Sequence, residues 1–119
     1  MQPSDPFSLF FVQEILSNCA MIENRIEEFS ITHDSYARSV LFQDMLTMPM
    51  IRICEIAKLY RTNLEALDPN YDWKSVGAMR DKMAHPYGGF DYDFVWDATQ
   101  VDLPELMAAC HGIVSASSA

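Results

Sequence analysis

Residues 6–29 read PFSLFFVQEILSNCAMIENRIEEF, and the apolar members Phe7, Phe11, Ile15, Cys19, Ile22, Ile26 and Phe29 follow one another at steps of three and four. That spacing places them on one face of an α-helix. Asp5 followed by Pro6 supplies an N-cap and a first-turn proline, while Glu23, Arg25, Glu27 and Glu28 lie off the stripe as a solvated face. A helix of this length with one apolar face needs other elements to cover it.

The rest of the chain reads the same way. After the polar break SITHDS, a second helix is expected from about Tyr36 to Tyr60, with Val40, Leu41, Met45, Met48, Ile51, Ile53, Ile56 and Leu59 spread over much of its circumference. It is expected to be the central, most buried helix, with Pro49 removing a backbone donor and kinking it. Its methionines read as gap-filling core residues. Thr62 to Glu65 reads as a capping box for a short helical turn, and Asp68-Pro69-Asn70-Tyr71 as a loop. Asp72 then caps a third helix carrying Trp73, Val76, Met79 and Met83, which must finish at His85 because Pro86 and Gly88-Gly89 follow. A fourth helix is expected from about Tyr92, and a fifth is announced by Asp102-Leu103-Pro104-Glu105, read as an N-cap, a first-turn proline and Glu at N3. No segment alternates at period two for long enough to be a strand, and no internal repeat is visible. The expected architecture is one all-α domain over residues 1–119, an up-and-down bundle of four to five helices.

The 119 residues suit a single domain, and half of them are hydrophobic. The net charge is -9, distributed as -5 over 1–51, +1 over 52–82 and -5 over 83–119. A generally basic, DNA-coating protein is thereby excluded, and the middle segment alone does not repel a polyanion. Cys19, Cys54 and Cys110 are an odd number at wide spacing with no zinc-ligand pattern, so reduced thiols in the cytoplasm are the expectation. The first residues lack the basic region of a secretory signal, and the longest uncharged run, 106–119, is too short to span a bilayer. No membrane association and no metal or other cofactor are expected.

One constellation carries candidate chemistry: Arg80-Asp81-Lys82-Met83-Ala84-His85-Pro86-Tyr87. On a continuous helix Asp81 and His85, four apart, share a face, where the carboxylate would hold the imidazole in one tautomer and favour its protonated form. A helix C-terminus further stabilises imidazolium. Arg80 would point about 140° away from His85 on an ideal helix, so a second subunit or a distorted helix end would be needed to join them. The competing reading makes His85 a C-terminal cap and Arg80 with Asp81 a surface ion pair. His33 and His111 read as surface or packing residues, and Gly77 and Gly88-Gly89 do not form a phosphate-cradling loop.

Arg-x4-His-x-Tyr in this position resembles the HEPN nucleases, and in detail the HepT-like toxins of bacterial and archaeal toxin-antitoxin pairs. The similarity extends over Ile53-Cys54-Glu55-Ile56-Ala57-Lys58, where members read IGEAAK, then Pro69 with Trp73, Met79-Arg80-Asp81 to His85 and Tyr87, Gly88-Gly89-Phe90-Asp91, Trp96, and Leu103-Pro104-Glu105-Leu106. It covers residues 21 to about 110. Cys54 stands for the family's glycine, Ile56 for its alanine and Asp81 for its asparagine, while Pro86 is unusual between histidine and tyrosine. The first two put bulk where helices would approach closely; Asp81 would raise the His85 pKa where an amide would not. Glu55 either supports the site or merely pairs with a basic neighbour.

The resemblance implies a metal-independent endoribonuclease, the toxin of a type II-like pair, acting as a homodimer with two Arg-x4-His motifs facing one cleft. It implies His85 as acid/base, Arg80 as the group that neutralises charge on the phosphoryl oxygens, and Asp81 and Tyr87 in support. Tyr87 could position substrate, accept AMP from a partner minimal nucleotidyltransferase (MNT) antitoxin, or simply pack over the turn. The alternative from another class is a non-catalytic HEPN module that binds nucleotides or a partner, which the strong negative charge favours.

Overall fold

The structure, a computed structural model, describes the backbone of residues 6–84 and 88–118 and the side chains of 9–84 and 88–117. Asp5, the expected first cap, lies outside the described residues, as do His85, Pro86 and Tyr87. The elements are α1 (Pro6–Glu28), α2 (His33–Ala37), α3 (Val40–Leu59), α4 (Arg61–Leu67), α5 (Trp73–Met83), α6 (Tyr92–Gln100) and α7 (Asp102–Ser118). Among the described residues there is no strand, only an isolated antiparallel bridge between Ala84 and Phe90. The all-α expectation holds: the short turn expected near 62–65 is α4, and α2 is a further short helix beside the five longer ones.

The long helix α1 ends where the sequence places it. Ser30 takes a left-handed conformation (φ 49°) and Ile31 N–H donates to the Ile26 carbonyl at 2.9 Å, so the last carbonyls of the helix find donors as the chain turns. Of its stripe, Phe11, Ile15, Cys19 and Ile22 are buried, Ile26 is half-buried and Phe29 is exposed. Val12 and Asn18 join the buried face.

The expected second helix is two. Thr32 and Ser35 form a capping box inside the supposed polar break and start α2, and Ser39 Oγ accepts from Phe42 N–H at 3.1 Å to start α3 afresh. The break escapes the sequence because Val40 and Leu41 look like the start of an apolar face, yet they are 71% and 65% exposed. The buried side of α3 is instead Leu46, Thr47, Pro49, Met50, Ile53, Cys54 and Ala57.

Pro49 lies inside α3 without ending it. Lacking an N–H, it leaves the carbonyl four residues back, on Met45, without its helical donor. Arg25 of α1 supplies one: its Nη1 donates to the Met45 oxygen at 2.6 Å. One contact thus repairs α3 and ties it to α1. Arg25→Met, which keeps the stem and removes the donor, is expected to destabilise the fold by about 1.5–3 kcal/mol, read as a lower urea midpoint with unchanged m-value.

Two caps differ from expectation. α4 starts at Arg61 with Tyr60 as its N-cap and no side-chain cap, because Glu65 pairs with Arg61 at 3.1 Å and not with a Thr62 box. Asp102 is already the first residue of α7, with Val101 alone separating it from α6. Asp72 caps α5 as expected, accepting from Ser75 N–H at 3.1 Å, and Asp91 caps α6, accepting from Phe94 N–H at 3.0 Å.

Contacts along the helices fix their directions. Arg25 meets Met45 while Phe11 stacks on Tyr60 at 3.6 Å, so α1 and α3 are antiparallel. Gly77 meets Lys58 while Arg80 meets Glu55, so α3 and α5 are antiparallel too. Helix α3 packs against α1 and α5 most extensively and also touches α2, α4 and α6, which makes it the central helix. α7 closes the bundle on α1 and α6. The three thiols are free and buried, and burial pushes each up to about 12, which keeps them protonated at neutral pH and poor nucleophiles. No described helix is long and apolar enough to cross a membrane.

Candidate active site

The candidate chemistry sits where α5 gives way to the loop before α6. α5 ends at Met83, two residues earlier than expected, because Ala84 already has extended backbone (φ -92°, ψ 135°). Helical spacing therefore does not set the relation of Asp81 to His85, nor of Arg80 to His85, because the helix does not run to residue 85. The loop itself is pinned at its neck. Ala84 bridges Phe90, and Asp91 N–H donates to the Met83 carbonyl at 2.7 Å. Gly88 and Gly89 adopt φ of 95° and 79°, a conformation that L side chains avoid, which is why two glycines make this turn.

Arg80, in the last turn of α5, is half-buried and does not pair with its neighbour Asp81 as the competing reading had it. Its Nε lies 4.0 Å from Glu55 Oε1 on α3, and its guanidinium carbon lies 5.9 Å from the centre of the Phe90 ring. The guanidinium is thus held between a carboxylate on one helix and an aromatic face across the loop neck, both long-range contacts near the limits of such interactions. Glu55 is 63% exposed and Arg80 35%, so the pair leaves the guanidinium reachable from solvent. The basic neighbour of Glu55 is Arg80 itself. Glu55 and Phe90 are the residues that spacing alone did not connect to Arg80.

Asp81 is exposed and lines a pocket with Lys58, Arg61 and Lys74. His85 and Tyr87 lie outside the described residues; the structure gives the anchors on either side, Ala84 and Gly88. His33 starts α2 and stacks on Trp96, with ring centres 5.6 Å apart, and His111 is exposed on α7, in keeping with surface and packing roles.

The close helix approach implied by the family's small residues is present, but at a different position. A Cβ added to Gly77 would lie 3.1 Å from Lys58 Cα, tighter than ordinary contact, so a larger residue there would push α5 a few tenths of an ångström from α3. Cys54, in place of glycine, is fully buried one turn away and is accommodated.

Residues 15–113 match the family described as Ribonuclease HepT-like. The chain belongs to that family. The HepT-like match spans every long helix, from within α1 to within α7, and so includes the loop neck and Arg80. Among curated relatives, "Probable ribonuclease HepT" of Thermococcus cleftensis is 29% identical over 103 residues, covering 79% of this chain and 87% of that protein. "Putative RNase TTE0752" of Caldanaerobacter subterraneus subsp. tengcongensis is 23% identical over 96 residues, 81% of this chain and 84% of the relative. A third, "Putative RNase MJ0125" of Methanocaldococcus jannaschii, is 33% identical over 54 residues, 45% of this chain and 47% of the relative. No solved structure matches this HepT-like chain.

Proposed function

We propose that this HepT-like protein is a metal-independent endoribonuclease. The observation that carries the reading is Arg80: a half-buried guanidinium that lies between Glu55 and Phe90 at the neck of the loop that bears His85 and Tyr87. The RNase names of its relatives point the same way. His85 takes the 2′-hydroxyl proton or protonates the leaving 5′-oxygen, and Arg80 neutralises the charge that gathers on the phosphoryl oxygens as the 2′-oxygen attacks phosphorus. A planar fork suits that task better than an ammonium group. Asp81 and Tyr87 support the site. Incubating the purified protein with RNA in EDTA tests the assignment: cleavage that His85→Ala removes supports it, and no cleavage by the unaltered protein defeats it.

The active form in this reading is a homodimer. Leu41, Met48 and Leu59 are exposed and share a stripe of α3 with Arg52 and Glu55, so apolar surface runs up to the partner of Arg80. Such a mixed stripe suits an isologous contact in which each charge meets its opposite on a second copy. Light scattering at micromolar concentration should read twice the 13.6 kDa chain mass; a monomer would remove this part of the proposal.

Regulation in this reading comes from a partner nucleotidyltransferase antitoxin that transfers AMP to Tyr87. The adduct would bring a phosphate and a base beside Arg80, occupying the substrate path and competing for the same cation. Tyr87→Phe keeps the ring without the acceptor, so it should retain most cleavage yet resist the antitoxin. Mass spectrometry after incubation with the partner and ATP would show adenylate on the unaltered chain and none on Tyr87→Phe. Adenylate on another residue would end this mechanism and leave the nuclease assignment in place.

A further inference from the structure

Next to the Arg80 site, on the same helix seam, lies a pocket of about 190 Å³ lined by Lys58 of α3, Arg61 of α4, and Trp73, Lys74, Gly77, Ala78 and Asp81 of α5. Three of the eight basic residues of a chain with net charge -9 come together here from three helices, against one lining carboxylate, Asp81. Trp73 is 1% exposed and so belongs to the core beneath the pocket, not to a stacking platform above it. Gly77, which lets α5 lie against the Lys58 backbone, brings the two helices together at its base. Arg61 also pairs with Glu65, but both side chains are about half exposed, and a surface pair of this kind gives way to a competing anion.

We propose that this pocket holds a backbone phosphate of the RNA strand next to the scissile one. The inference rests on the ribonuclease reading above and adds a substrate-positioning site to it. Its place in the fold carries the argument. Gly77 is three residues before Arg80 on α5, and Lys58 is three residues after Glu55 on the antiparallel α3. Gly77 at the pocket's base and Arg80 are therefore successive stations along one seam, about one helical turn, or ~5 Å, apart, with Lys74 about one turn further on. A strand that presents one phosphate to Arg80 brings a neighbouring phosphate to Lys58 and Lys74. An acidic chain needs such a local cluster, because its overall field repels the substrate. Phosphate contacts of this kind fix register without reading sequence.

The test uses the full chain and a single-stranded oligonucleotide methylated at every 2′-oxygen, which cannot be cut, so binding is read apart from cleavage. Lys58→Gln with Lys74→Gln keeps the stems and removes both charges. This double variant should bind about tenfold more weakly near 0.1 M salt and lower the log–log salt slope by about 0.7, the value for neutralising one phosphate of a single strand. With cleavable RNA the loss should appear in KM more than in kcat. Lys58→Arg with Lys74→Arg should restore both, which a merely structural role would not predict, and circular dichroism confirms that each variant is folded. Unchanged affinity and slope in the Gln variant, with cleavage by the unaltered protein intact, would overturn the pocket assignment alone. So would loss of a protein partner with RNA binding unaffected. Failure of the unaltered protein to bind or cut RNA would overturn both readings.

Discussion

Arg80→Ala and His85→Ala are each expected to lower RNA cleavage by about 10²–10⁴-fold, the range for removing a positioned acid/base or a transition-state charge stabiliser. The two changes should leave the fold nearly intact, and the structure gives the reason for Arg80. Its contacts are a 4.0 Å approach to an exposed carboxylate and a 5.9 Å approach to an aromatic ring, neither of which lies in the core. Arg80→Lys keeps the charge but loses the fork, so it should recover only part of the activity. Single-turnover cleavage in EDTA, with melting temperatures measured alongside, checks the set. If His85→Ala unfolds the chain, His85 is a structural cap; if Arg80→Ala cleaves normally, the guanidinium between Glu55 and Phe90 has no part in the chemistry.

Trp73→Ala should have the largest effect on stability, about 3–5 kcal/mol. Trp73 is the first residue of α5 and 1% exposed. Its indole N–H donates to the Asp68 carbonyl at 3.0 Å, and its ring meets Tyr71 edge-on with centres 4.8 Å apart. The side chain therefore fills the core, closes the loop from α4 and sets where α5 begins. Alanine loses all three at once. Since domains of this size are stable by only about 5–15 kcal/mol, the variant should lose a large share of its stability, read as a much lower urea midpoint. Trp73→Phe keeps most of the volume and loses the loop hydrogen bond, so its urea midpoint should lie between those of alanine and tryptophan.

The fold was legible in the sequence wherever an apolar stripe coincided with burial. Phe11, Ile15, Cys19 and Ile22 on α1, and Trp73, Val76, Met79 and Met83 on α5, are core residues at helical spacing. Of the expected acidic caps, Asp72 holds the start of α5, whereas Asp102 falls inside α7; Asp91, which caps α6, was not singled out as a cap by the sequence. Apolar residues that face outward misled. Val40 and Leu41 made one helix of two, and Leu59 counted toward a core it does not join. The end of α5 was misplaced because Pro86 restricts the residue before it but cannot say that the chain leaves the helix at Ala84, where the bridge to Phe90 takes over. Arg80 was legible as a candidate; its partners Glu55 and Phe90 were not, since each is brought to it by tertiary packing from a different part of the chain. The same holds for the basic pocket, whose lysines stand 16 positions apart in sequence.

The hydrogen bond from Arg25 to the Met45 carbonyl makes the order of sequence change matter. If Pro49 is replaced first by a residue with an N–H, Met45 regains its helical donor and Arg25 becomes free to vary. If Arg25 is lost first, the carbonyl stands without a donor and every later step starts from a weakened protein. The two positions, 24 residues apart and on different helices, therefore behave as one unit that can be entered from only one side. A homologue with proline at the second position and no donor at the first should have found its replacement elsewhere along α1, and drift between the two states should run through the chain that has lost the proline and still keeps the arginine.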